Sequence, residues 1–204
     1  VDAEFFAPDP GLENPYDAGT RALVFTGAMD YTPNIEAVSW FAEQVYPRLR
    51  DARADLRFYV VGLNPTEDVR ALERVPGVHV TGRVPDVRPY LQHAALAVAP
   101  MRVARGVQNK VLEALSMDKR VVATAHAAEG IHPGAQLGIA EAETEDDYLS
   151  TILRELESSD EPNVARPEPG GIRDAVVAHY DWDRNLERLG ELLLPTTMAE
   201  SDAA

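Results

Sequence analysis

The sequence contains no cysteine and no long apolar run, and it is poor in positive charge. Without cysteine among its 204 residues, the chain can form neither a disulfide framework nor a thiolate metal site. No apolar segment approaches the roughly 18 residues that a membrane-spanning helix needs. With 19 Lys and Arg against 34 Asp and Glu, the formal net charge is −15. This charge repels nucleic acid and anionic lipid, so we expect no nucleic-acid partner.

Several familiar site signatures are also missing. The five histidines, His79, His93, His126, His132 and His179, show no metal-ligand spacing, so we expect no bound metal. No G-x-G-x-x-G follows the first predicted strand, which argues against a dinucleotide-binding enzyme. A receiver-type signalling domain needs an acidic pair after its first strand and an aspartate after a middle strand. The segments FTGAMD and VTGRVP lack both.

Strand-like and helix-like segments alternate from about residue 20. Six strands are predicted, in the segments RALVFTGAMD (a buried strand), LRFYVVG, VHVTGRV, LAVAPM, RVVATA and LGIAEA. Helical patterns lie between them, and alternation of this kind builds right-handed βαβ units. The sequence therefore predicts a Rossmann-like α/β fold, with a mostly parallel six-stranded sheet and helices on both faces.

Helix starts are predicted from capping residues. Thr32, followed by Pro33, and Asn64, followed by Pro65, are each expected to cap a helix. Further along, Thr144 with Asp147 is expected to form a reciprocal capping pair for the helix DDYLSTILRELES.

The chain divides by composition into three parts. It begins VDAEFFAPDP without a methionine, and its early prolines and glycine suit a linker. We therefore expect residues 1–19 to be an interdomain linker within a longer protein. Residues 20–195 are expected to form one domain, and residues 196–204 a disordered tail.

The segment RVARGVQNKVLEAL, residues 102–115, concentrates positive charge around a glycine in an acidic chain. The strand LAVAPM before it ends at the carboxyl edge of the predicted sheet, where open parallel sheets bind ligands. A helix starting there offers free N–H groups to an anion, and Gly106 leaves room for a phosphate. Lys110 in the first turn opposes the helix dipole. A bound phosphate would reverse that unfavourable interaction.

Glu113 follows on the same helix face as Asn109 and Lys110. Its carboxylate can accept hydrogen bonds from two neighbouring hydroxyls, such as those of a ribose diol. One helix start could thus hold a nucleotide diphosphate with Lys110 and the ribose with Glu113. The alternative is an ordinary surface pair between Lys110 and Glu113, which stabilises a helix by about 0.2–0.5 kcal/mol. The pattern alone leaves both interpretations open.

The stretch GVQNKVLEALSMDKRVVAT resembles the nucleotide-binding signature in the C-terminal domain of GT-B glycosyltransferases, specifically family 4 retaining enzymes. VDAEFFAPD resembles the linker entering that domain, VFTGAMDYTPNIEAV its first strand, glycine turn and helix, and YDWDRNLERL its terminal helix. The resemblance runs over about residues 1–192. It is nearest to sugar transferases of bacterial exopolysaccharide systems associated with exosortase sorting, and it implies one half of a GT-B fold.

The resemblance also assigns roles to residues. The ribose-binding second glutamate of the family's E-x7-E motif falls on Glu113, and Lys110 is the equivalent of the diphosphate-binding lysine. The base-binding segment falls on residues 82–84. The candidate catalytic residues are therefore Arg105 and Lys110, and the candidate nucleotide-binding residues are Gly27, Arg83, Val84, Gly106, Val107, Gln108, Asn109 and Glu113.

The sequence departs from the family pattern at two places. Counting back eight residues from Glu113 gives Arg105 where the family has its first glutamate. Arg105 would bind either the diphosphate or a carboxylate on an acidic sugar, and both options stay open. The arginine that often follows the first glycine turn is also absent, because residues 28–30 are Ala, Met and Asp. We hypothesise that Arg105 and Lys110 supply the missing positive charge.

By this resemblance, the chain is expected to be the donor-binding half of a retaining hexosyltransferase. Its donor would be a UDP- or GDP-type sugar, and the pathway bacterial polysaccharide or glycoconjugate synthesis. No cofactor or metal is expected, and the main partner would be a missing N-terminal acceptor-binding domain. The fragment alone is expected to be inactive. A cytoplasmic location is expected, with membrane contact only through the missing half.

Two alternatives remain at this stage. One is a non-catalytic nucleotide-binding or partner-binding module on the same fold. The other is half of a GT-B sugar epimerase, which would bind the same nucleotide sugars.

Overall fold

A computed structural model describes residues 1–104, 106–160, 171–181 and 186 of the chain. In these residues, six strands form one sheet in the order β3-β2-β1-β4-β5-β6, and all neighbouring strands are parallel. The strands are β1 (Arg21–Thr26), β2 (Leu56–Val61), β3 (Val78–Gly82), β4 (Leu96–Ala99), β5 (Val121–Ala123) and β6 (Ile139–Glu141). The predicted Rossmann-like α/β fold is confirmed.

Helices connect the strands. They are α1 (Thr32–Trp40), α2 (Tyr46–Ala52), α3 (Glu67–Ala71), α4 (Arg88–His93), α5 (Asn109–Ser116), α6 (Ala125–Ala128), α7 (Glu145–Asp160) and α8 (Gly171–Tyr180). A π-helical stretch, Phe41–Val45, joins α1 to α2, and 3-10 turns occur at Leu72–Arg74 and Pro133–Ala135. Within the described residues, no helix combines the length and apolarity needed to cross a membrane.

The strand order places β1 beside β4 at the centre of the sheet. The chain moves outward from β1 to β3, then returns to β4 and moves outward the other way. Right-handed crossovers in these two directions put helices on opposite faces of the sheet. The reversal creates a crevice at the carboxyl ends of β1 and β4, which is where such sheets bind ligands.

The core lies on both faces of the sheet. β4 and β5 are buried at every residue, and β1 at all but its first. The first helical region carries an apolar stripe, of which Val38, Ala42, Val45 and Leu49 are fully buried. The π-helical stretch falls within this stripe, and both helices around it keep their apolar residues in the core.

The capping predictions had mixed outcomes. The pair at α7 is confirmed, since Thr144 N donates to Asp147 Oδ2 at 2.9 Å and Asp147 N donates to Thr144 Oγ1 at 3.1 Å. The prediction that Thr32 caps α1 is wrong, because the cap position is Tyr31 and its side chain makes no capping bond. The prediction for Asn64 is also wrong.

Asn64 lies in the turn ahead of α3 rather than at its cap. Its φ of 55° is in the left-handed region, which asparagine tolerates better than most residues. The cap is Thr66, whose side chain accepts a hydrogen bond from Val69 N. Threonine is also among the preferred cap residues, so the sequence carried two competing signals.

The segment predicted as an interdomain linker lies against the domain. The Tyr16 hydroxyl donates to the carbonyl of Tyr90 at 2.6 Å, and His93 Nε2 bonds to the carbonyl of Leu12 at 2.8 Å. From α8, the Arg173 guanidinium donates to backbone carbonyls of the same segment. Its role as a linker stays a prediction, and the predicted tail of residues 196–204 lies outside the described residues.

Candidate functional site

Two glycine turns form the floor of a cleft at the carboxyl edge of the sheet. Gly27 follows β1 and Gly62 follows β2, and the turns are joined by hydrogen bonds from Gly27 N to Val61 O (3.1 Å) and from Met29 N to Leu63 O (2.8 Å). A Cβ on Gly62 would lie 1.6 Å from the carbonyl oxygen of Gly27. Only glycine allows this contact, so the floor is closely packed backbone.

The cleft above this floor has a volume of about 430 Å³, within the range typical of small-molecule sites. Its walls come from the ends of β1 and β2, from the segment after β3, from the N-terminal segment and from α5. The lining residues are Phe6, Thr26, Gly27, Ala28, Val61, Gly62, Leu63, Arg83, Val84, Val87 and Glu113.

The sequence before α5 sets where that helix begins. Gly106 has a φ of 66°, in the left-handed region that favours glycine. Gln108 then takes the extended cap conformation, and the helix starts at Asn109. One side of α5 is buried through Val111, Leu112, Ala114, Leu115 and Ser116. The side bearing Lys110 and Glu113 therefore turns towards the end of β1.

Lys110 reaches under the first glycine turn. Its Nζ donates to Asn34 Oδ1, lies 3.7 Å from Met101 Sδ, and stands 4.6 Å from the ring centroid of Phe25. Its Cε would be 3.5 Å from a Cβ placed on Gly27. Burial lowers the pKa of Lys110 to about 8, although nearby Glu113 acts in the opposite direction.

Glu113 supplies a carboxylate to the cleft wall. Burial raises the pKa of this carboxyl, and the positive charge of Lys110 partly offsets the rise. A half-buried carboxylate and a half-buried ammonium group on one helix face therefore meet at the cleft. This is not the exposed surface pair that the sequence left open as the alternative, because Lys110 donates to Asn34 in the interior.

The structure brings together five of the predicted site residues. Gly27, Arg83, Val84 and Glu113 line the cleft, and Lys110 lies directly beneath its floor. The others, Gly106, Val107, Gln108 and Asn109, lie in the loop before α5 and at its first residue, and the described lining of the cleft includes none of these four. Arg105 lies outside the described residues.

Sequence reasoning missed several residues at this site, and three of them show why. Asn34 contacts Lys110, and Phe6 and Leu63 line the cleft. The signal for Asn34 was present in the segment TPNIEAV, where a polar residue with poor helix propensity stands in the first turn of a helix. In the part of the chain that the structure describes, no group of three His, Asp or Glu side chains could hold a metal ion.

Comparison with known protein families decides what kind of domain surrounds this cleft. The family model described as glycosyl transferases group 1 matches residues 20–158. The chain belongs to this family. The matched range includes the whole sheet, the cleft floor and α5, so it covers every residue that lines the cleft except Phe6. A comparison with curated proteins gave no match.

Solved structures of GT-B glycosyltransferases share the fold. A glycosyltransferase from Rickettsia africae ESF-5 has a TM-score of 0.69 at 15% identity, over 95% of this chain and 55% of that one. Anabaena Alr3699/HepE in complex with UDP has a TM-score of 0.70 at 12% identity, over 95% of this chain and 55% of that one. This chain therefore spans about half the length of these two proteins.

A third structure has nearly the same extent as this chain. The C-terminal domain of a glycosyl transferase group 1 family protein (LpcC) from Francisella tularensis has a TM-score of 0.62 at 14% identity, over 89% of this chain and 99% of that one. At these identities the likeness shows the fold, and the Rossmann-like sheet is the one found in GT-B glycosyltransferases.

Proposed function

We propose that this chain is the donor-binding half of a retaining glycosyltransferase. The enzyme would move a hexose from a nucleotide-diphosphate sugar to an acceptor in bacterial polysaccharide or glycoconjugate synthesis. The observation that carries the proposal is the convergence of Lys110 and Glu113 on one cleft at the carboxyl edge of the sheet. Membership of the glycosyl transferases group 1 family supports it.

In this proposal, each side of the cleft binds one part of the donor. The diphosphate lies over the Gly27 turn, near the Lys110 ammonium and the free N–H groups at the start of α5. The carboxylate of Glu113 accepts hydrogen bonds from the ribose hydroxyls. The base lies against Arg83 and Val84, on the far wall of the cleft.

The same groups would act in catalysis. As the bond to the sugar breaks, negative charge grows on the diphosphate, and preorganised positive groups stabilise that charge. Lys110 is held in place by Asn34, so its charge is preorganised. In the proposed mechanism this stabilisation requires no metal or other cofactor. Arg105, the other candidate cation, would bind either the diphosphate or a carboxylate on an acidic sugar.

The acceptor site would lie in a missing N-terminal domain. The similar GT-B proteins are about twice as long as this chain, and the Anabaena protein was solved with UDP. We therefore expect the isolated fragment to bind a nucleotide but to transfer no sugar. A cytoplasmic location, with membrane contact only through the missing half, belongs to the same proposal.

Calorimetric titration with UDP and with GDP tests the donor site. We expect saturable binding of one nucleotide, weakened tenfold or more in Glu113→Ala, because the ribose then loses its charged acceptor. Glu157→Ala is the matched control, since Glu157 is an exposed glutamate at the other end of the fold, near the end of α7. If both variants bind like the wild type, the assignment of Glu113 is wrong.

Nucleotide binding alone does not separate a transferase from an epimerase. The full-length protein should therefore be incubated with the matching nucleotide sugar, and its products followed by NMR at the anomeric carbon. Sugar transferred to an acceptor with its anomeric configuration retained supports the proposal. A change of configuration within the nucleotide sugar would indicate an epimerase, and binding without turnover would indicate a non-catalytic module.

A further inference from the structure

Asn34 is an unusual residue to find buried in the first turn of α1. Only 4% of it is exposed, although asparagine competes with helix formation and usually lies near the surface. Its side chain is used twice. Nδ2 donates to the carbonyl of Ala28 at 2.9 Å, and Oδ1 accepts from Lys110 Nζ. The amide therefore links the first glycine turn to a lysine 76 residues away in the sequence.

Gly27 provides the space for this arrangement. A Cβ at residue 27 would lie 2.7 Å from Asn34 Nδ2, closer than two such atoms can approach. The same Cβ would lie 3.5 Å from Lys110 Cε. Gly27, Asn34 and Lys110 therefore pack directly against one another. A side chain at residue 27 would occupy the space that the Asn34 amide and the Lys110 side chain fill.

The groups around the Lys110 ammonium are neutral. They are the Asn34 amide, the Met101 thioether and the face of the Phe25 ring. The nearest acidic influence comes from Glu113, which lines the cleft. A carboxylate at residue 34 would hold the ammonium more strongly, but it would also cancel its charge. A neutral amide fixes the position of the ammonium and leaves the charge available to a ligand.

We propose that Asn34 is a positioning residue, which holds the Lys110 ammonium under the Gly27 turn with its charge uncancelled. The anion that uses this charge would be the diphosphate of the donor, so this part of the inference rests on the proposed function. The competing explanation is purely structural. In that case Asn34 would only stabilise the Gly27 turn, through its hydrogen bond to the carbonyl of Ala28.

The first test needs no nucleotide. Lysine side-chain NMR on the free protein follows the titration of Lys110, with the buried Lys119 as an internal reference. Asn34→Asp is expected to raise the pKa of Lys110 by a unit or more, because it places an opposite charge in contact with the ammonium. Asn64→Asp is the charge-matched control, since Asn64 lies exposed at the same edge of the sheet.

This test decides whether residue 34 contacts the Lys110 ammonium. A Lys110 pKa that moves in Asn34→Asp and stays in Asn64→Asp establishes the contact that the inference requires, and the double-mutant cycle below then distinguishes positioning from a purely structural role. A Lys110 pKa that is unchanged in Asn34→Asp, in a protein whose NMR spectrum shows the native fold, overturns it. This result stands even if the wild type binds neither UDP nor GDP, which would overturn the proposed function separately.

The second test is a double-mutant cycle on the nucleotide that the wild type binds. Asn34→Ala and Asn34→Asp are each expected to weaken binding tenfold or more when Lys110 is present. In the Lys110→Met background, Asn34→Ala should have no further effect, because Asn34 acts through Lys110; Asn34→Asp is left out of this background, since it would place an unpaired carboxylate beside the bound anion. An equal loss in both backgrounds would assign Asn34 a purely structural role and overturn the inference.

Discussion

Helix α5 has a half-buried lysine near each end, and the two lie in opposite electrostatic environments. Lys110 is in the first turn, where the free backbone N–H groups repel a cation, whereas Lys119 follows the last turn, where free carbonyls attract one. Lys119 Nζ donates to the backbone carbonyl of Ala94 at 2.6 Å. Lys110 donates to a side-chain amide and a thioether. Burial lowers the pKa of both lysines to about 8.

The difference separates a structural lysine from a candidate ligand-binding one. Lys119 satisfies a backbone acceptor at the favourable end of the helix, so packing accounts for it. Lys110 has no backbone carbonyl as its partner and lies beside the cleft, at the helix N-terminus, the end of a helix that in general favours anions. A cation at a helix N-terminus is unfavourable for stability. Residues that are unfavourable for stability, with no evident structural gain, are expected at functional sites. The two ends of α5 show this contrast within a single helix.

The largest expected effect is on nucleotide binding. Lys110→Met should weaken binding of the preferred nucleotide about 100-fold, the loss expected for removing a charged hydrogen bond to an anion. Lys119→Met should change the affinity less than about twofold, because Lys119 lies at the opposite edge of the sheet. Calorimetric titration of both variants measures the contrast. Equal losses of affinity in the two variants would contradict the assignment of Lys110 as ligand-binding and Lys119 as structural.

The next effect is on stability, where Lys110→Met is expected to be favourable although it weakens nucleotide binding. At pH 7, Lys110→Met should raise the free energy of unfolding by about 1–2 kcal/mol, because it removes a buried charge but leaves Asn34 Oδ1 without its donor. Lys119→Met should have a net effect near zero, since it also leaves the carbonyl of Ala94 unpaired and loses a favourable dipole interaction. Urea unfolding of both variants gives the values. A destabilised Lys110→Met variant would mean that Lys110 is itself structural.

The smallest effect is the pH dependence of that stabilisation. The pKa of Lys110 is about 8 in the folded protein and near 10.4 in the unfolded chain, so burying its charge is most unfavourable below pH 8. That unfavourable term decreases as the pH rises towards 10. The stability advantage of Lys110→Met over the wild type should therefore shrink by about 1 kcal/mol between pH 7 and pH 9.

Lys119 does not obscure this measurement, because it is present in both proteins and its titration cancels in the difference. Urea unfolding of the wild type and Lys110→Met at the two pH values suffices. A constant difference would show that the pKa of Lys110 is not depressed in the folded protein. Measuring Lys119→Met in the same way would show whether the two lysines titrate alike.

Much of the fold could be predicted from local patterns. Strands with continuous apolar runs, such as LAVAPM and RVVATA, were found because buried strands differ clearly from their polar connections. The capping pair of Thr144 and Asp147 was found because both partners lie within one turn. The caps at Thr32 and Asn64 were wrong, since several polar residues compete near each helix start and the turn before the helix selects one of them.

The candidate site was only partly predictable. Lys110, Glu113 and Gly106 stood out because charge and glycine are concentrated in one short segment. Asn34 did not, because its meaning depends on a partner 76 residues away. Phe6 was missed for a similar reason. It reaches the cleft because Arg173 of α8 and Arg88 of α4 hold the N-terminal segment through its backbone carbonyls, and such bonds leave no pattern in the sequence.

The sequence alone determines the order of strands and helices along the chain, because periodicity and capping act over a few positions. It also determines the net negative charge and the cation-rich segment before α5. The strand order that places β1 beside β4 is a property of the assembled sheet. That order brings α1 and α5 together beneath the first glycine turn, so that Asn34 meets Lys110. Whether a lysine at a helix start is a surface residue or a buried charge at a cleft depends on what packs over it, and here that is the turn at Gly27.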